Sequence, residues 1–422
     1  METFIVKKTL IAAAALAATT GAMAFDVSLR GRLDAGYADT TYTRGDGKYT
    51  DSGVVSHNAA SSMFNIQGSE DLGDGMTMSF KLESDVYTAN GNTGVSGAGT
   101  TGLTPYNSYP GDTTGGLFNR ASRIDLTTGY GSIGFGRDYT PLFTLAAATD
   151  LNGLSRISTV NSPGAGVGTT LPNQIFYKTP VLFGGMVVNA SLWMDDNSKE
   201  DSISLNTTTG AATTTAGKTT RTSKGGTLTV TYGSPLSTYL AAGVGQVKFQ
   251  GGASAGGAVT LSALPASGLY PGSPIIAGHK TQTITGATLA ASTVMGPIKL
   301  AGNVITYDST YDKNNLQTAA FGDLEFSGSE VNFGAQYTMG AMRLAAQVGV
   351  NQRKAELNNS VEQKGTDFVL GAYYDLFKNT YVYVKTGVVN SFDEKKPSGT
   401  GYLTTMGKQD DTSSAIGFVT NF

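Results

Sequence analysis

The chain has 422 residues, 29 Lys+Arg against 32 Asp+Glu, and a formal net charge of −3. Near-balanced charge excludes the basic footprint of a nucleic-acid binder, and the absence of cysteine excludes disulfides and thiolate metal sites. Gly 56 would suit disorder, but 20 Tyr and 18 Phe are too many aromatics for an unfolded chain.

Lys7 and Lys8 precede the apolar run Thr9 to Ala18, and Ala22-Met23-Ala24 supplies small residues at the cleavage-reading positions. Residues 1–24 are therefore expected to be a secretory signal peptide, with 25–422 as the mature chain. No later segment offers ~18 consecutive apolar residues, which excludes transmembrane helices.

Period two begins at once. Phe25, Val27, Leu29, Leu33, Ala35 and Tyr37 share one face, while Asp26, Ser28, Arg30, Arg32, Asp34 and Gly36 share the other. One greasy and one ionic face require oil on one side and water on the other. Phe64 and Ile66 lead into the turn Asp71 to Gly75, after which Met76, Met78, Phe80, Leu82 and Val86 alternate with Thr77, Ser79, Lys81, Glu83 and Asp85.

Further strands are predicted at Phe118 to Leu126, Ser132 to Arg137, Gln174 to Lys178, Met186 to Met194, Gly226 to Tyr232 and Thr238 to Phe249. They continue at Thr281 to Ala290, Ile298 to Tyr307, Glu330 to Tyr337, Met342 to Asn351, Asp367 to Tyr374, Tyr381 to Val389 and Ser413 to Phe422, making 16 in all. Short turns near Asp74, Gly129, Phe183, Ser234, Met295, Met339 and Leu376 alternate with long stretches near Gly47, Gly97, Gly153, Thr208, Gly257, Asn315, Glu356 and Ser398. Strict alternation of short and long links joining an even number of strands predicts an all-β, transmembrane, antiparallel 16-stranded barrel in the bacterial outer membrane. A secreted β-sandwich would not need that alternation. The last strand places Ile416, Phe418 and Phe422 on one face, so it is expected to pair with the first and leave no edge.

Phe118-Asn119-Arg120, the run Gly131 to Pro141, Gly68-Ser69-Glu70-Asp71-Leu72-Gly73 and Tyr374-Asp375-Leu376-Phe377-Lys378-Asn379-Thr380 resemble the general diffusion porins of Gram-negative bacteria, the proteobacterial trimeric type. The resemblance implies a homotrimer of barrels embedded in outer-membrane lipid, passing ions and small hydrophilic solutes, with no cofactor. It also implies that the third long loop, 138–172, folds inward as a constriction. The implied constriction residues are Arg30, Arg32 and Arg137 on the wall, with Asp150 and Asp138 on the loop, partly offset by Arg156. Strand parity puts Arg137 on the lipid side, so this role requires a bulge. Met63 and Thr170 depart from positions that are usually arginine in the family, which weakens the implied anion preference. Arg120 has outward parity, and the resemblance implies a trimer-interface role for it. Phe422 is implied as the signal read by the outer-membrane assembly machinery.

Other motifs have simpler readings. Gly129 to Gly134 fits G-x-G-x-x-G but no helix pattern follows, so it is a turn. Asp71 to Gly75 lacks the spaced carboxylates of a cation loop. Arg44-Gly45-Asp46 matches an adhesion tripeptide in loop-like composition. His57 and His279 fall in or beside different outer loops, neither beside a convincing catalytic partner, so no enzyme is expected. Arg30 and Arg32 could equally pair with Asp34, Glu83 and Asp85. Tyr37, Tyr177, Tyr232, Tyr307, Tyr337, Tyr374 and Tyr381 are expected as girdle residues, and Trp193 as filling beside the inward loop. The competing functions are a substrate-specific channel, a surface adhesin or receptor, and an outer-membrane hydrolase.

Overall fold

Alternation of apolar and polar residues becomes one antiparallel sheet that closes on itself. The computed structural model describes residues 26–93, 117–162, 164–196, 200–205, 212–218, 221–251, 281–311, 325–356, 360–395 and 407–422. The expected signal peptide, Phe25, His279, Asp112 and the stretches around Gly97, Thr208, Gly257, Asn315 and Ser398 lie outside them.

The strands are β1 (Asp26–Arg44), β2 (Gly47–Ser56), β3 (Met63–Gly73), β4 (Met76–Asp85), β5 (Ala121–Thr128), β6 (Gly131–Tyr139), β7 (Thr170–Lys178), β8 (Met186–Asp196), β9 (Glu200–Leu205) and β10 (Ala212–Lys218). Then come β11 (Arg221–Gly233), β12 (Thr238–Gly251), β13 (Thr281–Met295), β14 (Ile298–Tyr311), β15 (Glu325–Met339), β16 (Met342–Glu356), β17 (Ser360–Phe377), β18 (Thr380–Phe392) and β19 (Gln409–Asn421). Among the described residues one helix, α1 (Pro141–Thr149), stands between β6 and β7. The β9–β10 hairpin is a separate sheet in the link from β8 to β11. β2 and β3 are two pieces of one broken wall strand, both paired with β1, so the wall is a closed barrel of 16 strands.

Closure runs from Arg32 opposite Asn421 to Arg44 opposite Gln409. It is completed where Gly31 and Phe422 exchange backbone hydrogen bonds of 2.9 and 3.0 Å. The Phe422 ring covers Gly31 on the outer face, where a Cβ would lie 2.3 Å from it. That face is the apolar one: Leu29 is 62% exposed, Phe418 60% and Ile416 58%. The principal wall strands β11 to β19 have 13 to 18 residues, enough to cross a bilayer at a tilt of roughly 45°.

Three boundaries differ from the sequence expectation. The link near Gly47 is a tight turn at Gly45 and Asp46, because β1 and β2 continue as an extended hairpin. Likewise β16 and β17 run on to Glu356 and Ser360. Phe118 to Arg120 belong to a turn, and β5 starts only at Ala121. Two expected girdle tyrosines also face inward: Tyr307 is 7% exposed, and Tyr381 sits edge-on to buried Tyr373.

Candidate pore constriction

The chain leaves the wall after Tyr139 and returns at Thr170, and the described residues between lie against the inside of the barrel. Thr140 caps α1, its hydroxyl accepting from the Phe143 N–H, and Pro141 fits the first turn because its missing donor is not needed there. Leu142, Leu145 and Ala146 form the buried side of the helix. They seat against β12 at Gly243 and Gly245, where a Cβ would come within 2.9 Å of the Leu142 methyls. Leu142, Leu154, Val160, Val167 and Leu171 then share one apolar cluster with Trp193, Val247, Ile284 and Ile305 of the wall. Each such side chain contributes about 1.5–3 kcal/mol on full burial. Trp193 is the largest residue in that seat.

Beyond the helix, polar anchors take over. The Asp150 carboxylate accepts from the N–H groups of Asn152 and Leu154 and from the Ser158 hydroxyl. Burial pushes its carboxyl up while these donors pull it back. Asp150 is 8% exposed, so the expectation that it supplies the pore's acidic face is corrected: it is the hub of the loop's own turn. The Lys385 ammonium, fully buried on β18, donates to Asn152 O (3.2 Å), Ser155 Oγ (2.7 Å) and Ile157 O (2.9 Å). Asn161 donates its N–H to Glu330 and its amide to Asp367. The loop is thus fastened along the β8 and β11–β18 side.

A second element also turns inward. Between β2 and β3, residues 57–62 turn into the lumen, beginning at His57 with φ of 65°. Asp34, 0% exposed, holds this turn: its Oδ2 accepts from the N–H of Ala59 (2.7 Å) and Ala60 (2.9 Å). Its Oδ1 accepts from the Tyr383 hydroxyl at 2.7 Å. Gly36 and Gly417 leave room for that phenol, since a Cβ on either would lie 2.6 Å from its oxygen. The two ends of the turn meet arginines. Arg156 donates its backbone N–H to His57 O, and Arg32 Nε donates to Ser61 O at 2.8 Å. His57, expected at an outer loop, lies in this turn with Nε2 3.0 Å from Val86 O and its ring against Tyr87.

The remaining predicted residues separate. Arg30 is exposed on the inward face of β1, and neither it nor Arg32 has a carboxylate partner among the described residues. Arg156 likewise ends on the Tyr42 hydroxyl at 3.2 Å. Arg137 sits where the β6–β7 register shifts between Gly136 and Asp138, with φ of 132° at Gly136 and 52° at Asn173. Its guanidinium binds Asn119 O and the Thr170 hydroxyl, tying the loop's exit to the turn before β5. Outward parity for Arg120 is corrected. Freed from a strand, it folds onto the inward face of β4, pairing with Glu83 at 2.8 Å and with Asp85. Lys81 completes that knot with Glu83, and Arg123 pairs with Asp125 and Asp138. Lys81, Arg120 and Arg123 therefore face the four carboxylates of this wall, and none of those four is left to balance Arg30 or Arg32.

A profile of the Gram-negative porin family matches residues 12–393. Among curated proteins, the chain is 31% identical over 189 residues to outer membrane porin protein 32 of Delftia acidovorans, covering 42% of this chain and 47% of that one. It is 29% identical over 191 residues to an outer membrane porin protein of Bordetella pertussis, covering 42% and 44%. The chain thus spans about half the length of the curated relatives it matches. Among solved structures, the anion-selective porin from Comamonas acidovorans matches with a TM-score of 0.60 at 19% identity, covering 94% of this chain and 100% of that one. The trimer form of OmpT from Vibrio cholerae matches at 0.56 and 15% identity, covering 94% and 100%. These two likenesses support the fold. With the family match spanning most of the sequence, the closed barrel with an apolar outer band and an inward loop is that of an outer-membrane protein, and the chain belongs to the Gram-negative porin family.

Proposed function

We propose that this porin is a passive, water-filled channel for ions and small hydrophilic solutes, with a modest preference for anions. The observation that carries the reading is the unequal fate of the charges. Glu83, Asp85, Asp125 and Asp138 are held in ion pairs, and Asp34 and Asp150 are buried against N–H donors. Among the described residues, Arg30, Arg32 and Arg156 keep guanidinium donors without a carboxylate. Low-dielectric walls focus such a field on a passing ion. The constriction is formed by the inward loop and the turn at 57–62 against the β1–β5 wall, with no reaction and no cofactor involved.

The channel works as a homotrimer in outer-membrane lipid, after removal of residues 1–24 and with Phe422 read by the assembly machinery. The family resemblance and the trimeric relative support this assembly. Arg120 then serves the pore wall, because its charge is occupied by Glu83 and Asp85 of its own chain. Purified protein in planar bilayers is expected to give stepwise conductance with a linear current–voltage relation. Folded protein that inserts and carries no current would refute the reading.

A further inference from the structure

On β1, Arg32 and Asp34 stand two residues apart on the same inward face, close enough for an arginine and an aspartate to pair. A second carboxylate lies across the sheet. Arg32 is opposite Met63, and Met63 is opposite Asp85, so Asp85 sits two strands away in the same row. Neighbouring strands are about 4.8 Å apart, which brings Asp85 within the span of an extended arginine. Among the described residues Arg32 nevertheless pairs with neither, and its Nε goes to Ser61 O.

The turn at 57–62 is what keeps them apart. The N–H groups of Ala59 and Ala60 occupy one oxygen of Asp34 at 2.7 and 2.9 Å, and the Tyr383 hydroxyl occupies the other at 2.7 Å. Both oxygens are thereby drawn away from Arg32. Ser62 pins the end of the turn: its hydroxyl accepts the Asp34 N–H at 2.8 Å and donates to Asp34 O at 3.2 Å. The adjoining Ser61 carbonyl then meets Arg32 Nε at 2.8 Å and aims the guanidinium at the turn. Asp85 is meanwhile held by Arg120 and by Asn119 Nδ2, the latter at 2.9 Å.

We propose that Asp34 and Tyr383, through the turn they hold, position Arg32 as an unpaired cation, an inference that rests on the anion-preferring reading above. Asp34 is then a positioning residue for selectivity and not a counter-charge. A carboxylate satisfied by N–H and O–H donors stays ionised without a cation beside it. Arginine–carboxylate pairs in contact with water are weak, so these few hydrogen bonds suffice to keep this one open. The sign of the effect is distinctive. Deleting a lumen carboxylate ordinarily strengthens anion preference, whereas deleting this one together with its hold on the turn should weaken it.

Asp34→Asn and Asp34→Ala remove the same charge and separate the two effects. The asparagine Oδ1 still accepts from Ala59 and Ala60, and alanine does not. Reversal potentials of the purified channels in planar bilayers, across a KCl gradient, give the chloride-to-potassium permeability ratio. Asp34→Asn is expected to match or exceed the parent. Asp34→Ala is expected to fall about two- to threefold below Asp34→Asn, the Boltzmann factor for neutralising one charge roughly 7 Å from the ion's path in water. Equal ratios in the two variants, or a higher ratio in Asp34→Ala, overturn the proposal. If Asp34→Ala does not assemble, Tyr383→Phe decides. Formal charge is then unchanged, but Asp34 Oδ1 loses its donor and can draw Arg32 in, so the ratio should fall below the parent's; an unchanged ratio overturns the proposal. A parent that prefers potassium refutes the underlying reading, whereas a chloride-preferring parent with equal Asp34 variants refutes only this inference.

Discussion

Substituting Lys385 by methionine removes one buried ammonium while nearly keeping the side chain's length. Three acceptors on the inward loop, Asn152 O, Ser155 Oγ and Ile157 O, then lose their donor in a site sealed from water. Hydrogen bonds to a charged group contribute about 1.5–3 kcal/mol each, so the gross loss is roughly 5–9 kcal/mol. Returning the ammonium's desolvation penalty, several kcal/mol for a buried ion, offsets much of this. A net weakening of about 3 kcal/mol raises the undocked-to-docked ratio of residues 152–157 about 150-fold. The barrel's strand ladders do not involve the ammonium, so folding and heat resistance of the barrel should change little. Single-channel recording should show larger mean conductance and new flicker between levels, as the loop leaves the lumen intermittently. Conductance and noise identical to the parent, from a channel that inserts normally, would show that Lys385 does not hold the loop.

Arg120→Ala should unbalance Glu83 and Asp85 and shift reversal potentials toward cations, with oligomers as heat-resistant as the parent's on mild-detergent gels; loss of the oligomer with unchanged selectivity would return Arg120 to an interface role. Deleting Phe422 uncovers Gly31 and removes the last backbone pair of the closing seam. Levels of assembled protein in the outer membrane should fall more than the conductance of the channels that do assemble, and normal levels would count against this.

The wall was legible because lipid outside and water inside impose one strict period on every strand, as Ile416 and Phe418 against Ala415 and Gly417 illustrate. Parity failed where strands stop or break. Arg120 lies just before β5, which begins at Ala121, so strand parity does not govern its side chain. The turn at 57–62 was invisible because its organiser, Asp34, lies on another strand, and nothing local in Asn58-Ala59-Ala60-Ser61-Ser62 announces a buried carboxylate. For Asp150 the sequence does carry a signal: an aspartate just before Leu151-Asn152-Gly153 is the composition of an Asx turn, which occupies the carboxylate locally. Thr140-Pro141 ahead of an apolar run was likewise a helix start. Lys385 alternates with Val382, Val384 and Val388, but sequence alone cannot separate a lysine in lumen water from one beneath a folded loop. The glycines at 243 and 245, alternating on an inward face, were the available sign that something packs closely there.

In the proposed channel, free guanidinium groups along β1 set the field of an otherwise open lumen. Reversal potential across a tenfold KCl gradient, for the parent and for Arg32→Ala, tests it most directly. The account predicts a potential on the chloride side for the parent that moves toward zero in the variant. A parent potential on the potassium side, or one that Arg32→Ala leaves unchanged, would contradict it.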